Sequence, residues 1–297
     1  MSVKVRTAVI GVGRWGQNVA RDLATVSELV AYTSRSGGPN AFMPAHTSAR
    51  PCTLEEVAAD PAIRAVAIAT PTATHAAVTR TMLLAGKHVF VEKPLAYSSA
   101  EAYELVDLAA ARDLTLATGY QFLCHPVYEE LKRRIDVRGL RHVTLTWRKW
   151  GTFGEPIEFS LLTHHLGLAI DLLGEPRAGT LQRLGRVESE CDSVETQLVY
   201  PNTQVVSLID RGSRVASHTL GFDLEDGSAY LWTGRRLLHL EEPEAEPAVV
   251  FETRELPLAI EIARFVAAVA GEKPTLPSAG DFGARVLTVQ ERLQDLK

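Results

Sequence analysis

A chain of 297 residues with 46% hydrophobic and 23% charged side chains is long enough for two domains, each burying its own core. Its formal net charge of −5 gives no global attraction to nucleic acid or an anionic membrane surface, and no apolar run reaches the length that spans a bilayer. These features point to a protein that works on small molecules, without nucleic-acid or membrane partners.

The first residues set a rhythm of short apolar runs and helical patterns, the signature of a parallel sheet with crossover helices. Val5 to Ile10 reads as a strand; Lys4 and Arg6 break up the apolar stretch, so a signal peptide is not expected. Helical spacing follows over Asn18 to Leu23, then a strand over Leu29 to Thr33. Thr53 with Glu56 forms a capping box for a short helix. Ala65 to Ala69 is a buried strand that stops at Pro71, and a helix runs from Thr74 to Ala85 with Gly86 as its cap. Val89 to Val91 is the next strand and ends at Glu92, Lys93 and Pro94; Ser98 with Glu101 caps the following helix, and Leu114 to Thr118 is a strand.

Beyond this point the pattern changes. His142 to Trp150, Val194 to Tyr200, Val205 to Ile209, Ser217 to Leu224 and Ala229 to Trp232 alternate like half-exposed strands, separated by turn signals such as Pro201-Asn202 and Asp226-Gly227. Such strands imply a mainly antiparallel sheet. Helical patterns over Leu258 to Ala270 and Phe282 to Leu296 close the chain. The expected organisation is an α/β fold: a doubly wound parallel sheet over residues 1–121 and a second α/β domain with a large antiparallel sheet over 122–297. Cys52, Cys124 and Cys191 have neither metal-ligand nor disulfide spacing, so they read as small buried apolar side chains in a reducing cytoplasm, with no metal expected.

Gly11-Val12-Gly13-Arg14-Trp15-Gly16 fits G-x-G-x-x-G, follows a strand and opens a helix. In that context the first glycine allows a tight turn, the second lets backbone approach a pyrophosphate, and the third permits close packing of helix on sheet. The helix N-terminus then offers N–H groups and a positive dipole end to phosphate. A nicotinamide dinucleotide is the implied ligand. The end of the second strand decides which one, because an acid there holds the ribose 2′-OH of NAD and repels a 2′-phosphate. Here the chain reads Thr33-Ser34-Arg35-Ser36, without an acid. Arg35 can pair with phosphate and the serine hydroxyls can donate to it, so NADP(H) is preferred while NAD(H) stays possible. A solvated loop that accepts either cofactor is the plainer alternative.

Thr70-Pro71-Thr72-Ala73-Thr74-His75, followed after one more strand by Glu92-Lys93-Pro94, resembles the Gfo/Idh/MocA oxidoreductases. The glycine loop, the TP-x-x-x-H segment and the EKP tripeptide occur in that family's order, and Thr118 to Ile135 resembles its domain junction. The resemblance implies hydride transfer between nicotinamide C4 and a carbonyl or carbinol carbon, usually of a sugar or polyol, in a homo-oligomer (dimer or tetramer). It places Thr70, Pro71, Thr72, His75, Glu92 and Gln121 among the cofactor contacts, and Lys93 at both the cofactor and the reacting oxygen. A lysine desolvated beside an oxidised nicotinamide has its pKa lowered, so it can move a proton near neutral pH. The structural alternative for Lys93 is a surface ion pair with Glu92.

The family's second catalytic element is a helix-borne histidine. Counted back from Gly174, His164 falls at that position, with His165 beside it and Asp171 further along. The segment is apolar nearly all round, so it is buried and its histidines need partners. Lys93, Gln121, His164 and His165 form the expected substrate set, although His165 reads equally well as a hydrogen-bonded core residue. Two departures stand out. Ser160 occupies the position where the family carries an acid one turn before the histidine, and Gln121 stands where it commonly has an arginine nearby. A serine supplies no charge, so His164 is a weaker base, which suits a reductase. Arg148 or Lys149, on alternating sides of one strand, offers a cation for a substrate carboxylate or phosphate. The sequence thus supports an NADP(H)-dependent reductase of a sugar-like carbonyl, with reduction of a C=N bond or a catalytically silent NADP-binding regulator as alternatives.

Overall fold

The computed structural model describes residues 4–35, 41, 43 and 47–295. Its chain forms two compact units: residues up to Cys124 together with Leu256–Leu287, and His125–Glu255 together with residues from Thr288. A single division at 121/122 does not describe the return of Leu256–Leu287 to the first unit.

In the first unit the elements are β1 (Arg6–Ile10), α1 (Gly16–Val26), β2 (Glu28–Thr33), β3 (Arg50–Pro51), α2 (Leu54–Ala59), β4 (Ala65–Ile68), α3 (His75–Leu84), β5 (His88–Glu92), α4 (Ser99–Ala111) and β6 (Leu116–Gly119). The strands form one parallel sheet in the order β3-β2-β1-β4-β5-β6. The order reverses between β1 and β4, and ligands of such sheets bind at that switch, outside the strands' carboxyl ends. All four residues of β4 are buried, as expected of a strand covered on both faces. Local signals work as read: Thr53 Oγ1 accepts from the Glu56 N–H at 3.1 Å, and Glu56 accepts from the Thr53 N–H at 2.7 Å. Gly86 takes φ +75°, the left-handed conformation that ends a helix.

The second unit holds α5 (Pro126–Arg134), β7 (Leu140–Trp150), α6 (Thr163–Leu173), β8 (Ala178–Gly185), β9 (Ser193–Val199), β10 (Gln204–Asp210), β11 (Gly212–Leu224), β12 (Ala229–Thr233), β13 (Arg236–Leu240) and β14 (Ala248–Glu252). Its eight strands lie in the order β14-β13-β12-β11-β7-β10-β9-β8, antiparallel except for the β7–β10 pair. On β10 the side chains of Val205, Ser207 and Ile209 are buried in strict alternation, the mark of a sheet covered on one face.

Two helices complete the chain, α7 (Pro257–Val269) and α8 (Phe282–Asp295); Leu296, the expected end of the last helix, lies outside the described residues. The return of α7 to the first unit follows from its apolar stripe. Leu258, Ile262, Phe265, Val266 and Val269 recur at helical spacing and join the core formed by Val9, Val19, Leu23, Ala67 and Phe90. Phe265 meets Phe90 with ring centroids 5.8 Å apart, and burying such a side chain contributes about 1.5–3 kcal/mol.

Candidate cofactor and active site

The three loop glycines are there for different reasons. Gly11 has φ +92°, and a Cβ on it would lie 2.6 Å from Thr70 Cγ2 and 2.8 Å from Thr70 N. At Gly16 a Cβ would lie 2.1 Å from the Gly11 carbonyl oxygen, so α1 can approach β1 closely only without a side chain. Gly13 has neither constraint: no atom lies within 4 Å of where its Cβ would be. The fold explains the first and third glycines, while the second keeps open space beside the start of α1. That helix begins without a side-chain cap from Trp15 and without an acid in its first turn, so its positive end is not neutralised from within.

The loop is tied to the end of β2, where the Thr33 carbonyl accepts from the N–H groups of Gly11 (3.2 Å) and Val12 (3.1 Å) and its hydroxyl accepts from Gly11 at 3.1 Å. Ser34 and Arg35 are thereby held next to the glycines. Together they line a cavity of about 740 Å³ with Gly11, Val12, Gly13, Arg14, Trp15, Thr70 and Pro71. The volume falls in the range of ligand sites. Ser36 lies outside the described residues. Leu54, Thr74 and Val78 also line the cavity; Leu54 and Val78 carried no motif in the sequence, and Thr74 is a variable position of the TP-x-x-x-H segment. The open Gly13, the bare helix end and the Ser34–Arg35 rim fit a dinucleotide.

The remaining first-unit residues cluster at the carboxyl ends of β4, β5 and β6. His75 is buried, and its two ring nitrogens lie 2.7 Å from the Pro94 carbonyl oxygen and 2.8 Å from that of Thr70. It ties the loop after β4 to the turn after β5, and Thr72 is buried in the intervening segment. Lys93, half-buried, precedes a cis peptide bond to Pro94. Glu92 is buried and accepts a hydrogen bond from the Trp15 side chain, so it is an interior carboxyl, with the Lys93 charge acting on it. Desolvation raises its pKa to about 6 against the opposing Trp15 bond and Lys93 charge. Gln121 is half-buried and opens the 3₁₀ turn Gln121–Cys124. Sequence reasoning missed Glu261 of α7, fully buried, whose Oε1 accepts from the Tyr120 N–H and the Ser278 hydroxyl, both at 2.9 Å. It lies in an otherwise apolar stripe and reads in sequence as one charged residue of an amphipathic helix.

In the second unit α6 starts from a π turn, Glu158–Leu162, in which the Thr163 N–H reaches back to the Glu158 carbonyl. This shifts Ser160 from the α-helical register that "one turn before His164" assumes. Ser160 is buried and donates to the Ile157 carbonyl at 3.4 Å. His164 is buried and its ring lies 5.8 Å from that of Trp147. His165 is more deeply placed: Nδ1 lies 2.7 Å from the Ser207 hydroxyl and Nε2 3.4 Å from Nε2 of His218, whose ring stacks on Trp147 at 4.5 Å. This interior hydrogen bonding is the core-histidine alternative for His165. Burial, then the neighbouring His218, pushes the His165 pKa well down; burial, then His125, lowers His218 to about 4. His125, whose ring lies 4.8 Å from Trp232, is lowered to about 4 by burial and then Arg235. Neither His125, within the junction-like segment, nor His218, far from any motif, was singled out in the sequence. Lys149 shares the Trp147 side of β7, whereas Arg148 is on the other. Asp171 is engaged elsewhere, accepting from the Tyr128 hydroxyl and the Lys132 ammonium, both at 2.8 Å.

None of the three cysteines forms a disulfide; Cys52 and Cys124 are buried and Cys191 partly so. Among the described residues there is no group of three or more metal-ligating side chains, and no helix long and apolar enough to cross a membrane.

Residues 5–120 match the family described as an oxidoreductase family with an NAD-binding Rossmann fold, GFO_IDH_MocA. Over nearly its whole length the chain is 28% identical to the UDP-N-acetylglucosamine 3-dehydrogenase of Acidithiobacillus ferrooxidans, covering 96% of this chain and 95% of that protein. A crystal structure of that dehydrogenase superposes with a TM-score of 0.86 at 25% identity, covering 97% and 96% of the two chains. Biliverdin reductase A from Mus musculus is 29% identical over 70% of this chain and 71% of its own. With its Rossmann sheet, glycine loop and EKP segment in place, the first unit carries the NAD-binding domain of the Gfo/Idh/MocA oxidoreductases, and the chain is similar along nearly its whole length to a dehydrogenase.

Proposed function

We propose that the protein is an NADP(H)-dependent reductase of a carbonyl group on a sugar-like small molecule, acting in the cytoplasm as a homo-oligomer. The observation that carries the cofactor preference is the rim of the cavity. Ser34 and Arg35, without an acid, lie beside the glycine loop, where a 2′-phosphate would find a guanidinium and a hydroxyl. Gly11, Val12 and Gly13, with Arg14, Trp15 and the start of α1 at Gly16, would hold the pyrophosphate, and Thr70 and Pro71 the opposite wall. Thr72, His75 and Glu92 support these loops from beneath. The full-length likeness to a nucleotide-sugar dehydrogenase supports a sugar-like substrate.

When bound, the cofactor supplies or accepts a hydride at nicotinamide C4. Lys93 would donate a hydrogen bond to the reacting oxygen and polarise the carbonyl, and Gln121 would bind substrate as a neutral polar group. His164 is proposed as the donor that protonates the alkoxide oxygen once the carbon has gained hydride. His165, which bonds Ser207, would support that helix and not touch substrate. The eight-stranded sheet has exposed apolar side chains, Val199 and Val249 among them, that a second copy could cover.

Two measurements test this. NADPH should bind more tightly than NADH, and tighter NADH binding would overturn the preference. NADPH absorbance followed against keto-sugars, imines and polyols should show turnover that Lys93→Ala and His164→Ala each reduce. Turnover that survives Lys93→Ala would refute the mechanism. Activity confined to imines would assign C=N reduction, and tight NADPH binding with no turnover would assign a regulator.

A further inference from the structure

The first unit contains two interior carboxyls whose burial the proposed chemistry does not explain. Glu92 ends β5 immediately before Lys93; Glu261 projects from the core-facing stripe of α7. They converge on one peptide. A Cβ on Gly119 would lie 3.1 Å from Glu92 Oε2, and the N–H of the next residue, Tyr120, donates to Glu261 Oε1. Each carboxyl keeps one oxygen, Glu92 Oε1 and Glu261 Oε2, that is buried and accepts no hydrogen bond.

We propose that Glu92 and Glu261 form an electrostatically coupled carboxyl pair beneath the Lys93 end of β5, holding one proton at neutral pH, with Glu261 a positioning residue that limits the charge beside Lys93 to one negative unit. The statement about Lys93 rests on the function proposed above; the pair itself does not.

Two carboxylates converging on one buried peptide can only accept, so with both ionised their leftover oxygens face a desolvated interior with nothing to donate. One retained proton removes one buried charge and the repulsion between like charges. The groups around the pair decide where the proton resides. Trp15 donates to Glu92 and the Lys93 charge adjoins it, both favouring ionised Glu92. Glu261 has the Tyr120 N–H, the Ser278 hydroxyl and the more distant Arg264 charge, against full burial and the Glu92 charge. Burial, then Glu92, raises Glu261 to about 8, whereas Glu92 reaches only about 6. The proton therefore sits mainly on Glu261. Above its ionisation a second negative charge appears near Lys93 and holds the ammonium protonated more firmly.

Infrared difference spectroscopy of the whole protein tests the pair without substrate. At neutral pH the wild type should show the carbonyl stretch of a protonated carboxylic acid, sensitive to D₂O, that fades as pH rises through about 8. Glu261→Gln, which keeps the acceptor for Tyr120, should abolish that band, and a band unchanged by this substitution would overturn the proposal. If Glu261→Gln does not fold, Glu92→Gln serves. Removing the neighbouring charge should lower the pH at which the Glu261 band fades by about one unit or more, and an unmoved midpoint would overturn the pairing. The effect on Lys93 is read separately. The alkaline limb of kcat/KM for NADPH-dependent reduction should move in Glu261→Gln, and an unmoved limb with the expected infrared result would refute the coupling alone. A protein without turnover would leave the infrared test intact.

Discussion

Acidification should act on the two units in opposite directions. In the second unit His125 and His218 are held near pKa 4 by burial, against an ordinary value of 6.5, so between those values the unfolded chain binds protons that the folded one refuses. Stability then falls as pH falls. One pKa unit corresponds to about 1.4 kcal/mol, so going from about pH 7 to about pH 5 costs about 2 kcal/mol for each histidine. His165, pushed down more strongly, adds to the same side. In the first unit Glu92 and Glu261 are raised to about 6 and about 8 from 4.5, so here the folded state holds protons that the unfolded chain has released. That penalty is present at neutral pH and relaxes as pH falls, returning about 4 kcal/mol over the same interval. The half-buried His88, lowered by burial and then by Arg64, opposes part of this gain. Carboxylates held low, such as Glu130 and Asp192, lose their contribution only at still lower pH. Hydrogen exchange read by peptide mass spectrometry, corrected for the intrinsic pH dependence of amide exchange, resolves the units. Peptides from β7, α6 and β11 should lose protection on acidification while those from β5 and α7 keep or gain it. Greater protection of β7 and β11 at the lower pH would refute the assignment of neutral, desolvated imidazoles.

The glycine loop separates fold from ligand. Gly16→Ala pushes a methyl into the Gly11 carbonyl and should cost about 1–3 kcal/mol, read as a lower Tm, whereas Gly13→Ala should leave Tm nearly unchanged and weaken NADPH binding about tenfold or more. Arg35→Asp should invert the cofactor preference, with NADPH dissociation rising about tenfold or more in direct titration, since a guanidinium–phosphate bond is worth about 1.5–3 kcal/mol. Arg211 is buried and gives hydrogen bonds to Asp192, Ser189 and the carbonyls of Thr152, Glu155 and Cys191. Arg211→Met leaves Asp192 buried without its cation and should destabilise by about 3–5 kcal/mol in urea unfolding.

Much of the first unit could be read directly because its signals are local. The capping box at Thr53, the turn at Gly86 and the glycine loop each need a particular residue type at a fixed spacing, and the backbone honours all three. Strands β8, β13 and β14 escaped the reading. No side chain of β8 or β14, the two edges of their sheet, is fully buried, so neither carries the apolar alternation that marks a half-buried strand. The return of α7 was equally hidden, because an apolar stripe states that a helix is covered and not by which unit.

The candidate chemistry divides along the same line. Cofactor binding rests on backbone conformation, which glycine advertises; proton handling rests on desolvated side chains whose surroundings come from distant parts of the chain. Glu261 follows Tyr120 by 141 positions, and His218 follows His165 by 53. Neither relation leaves a spacing to recognise. The same point governs His164. An acid absent at position 160 could in principle be replaced by Asp171, the one carboxylate on α6, yet that group is committed to Tyr128 and Lys132.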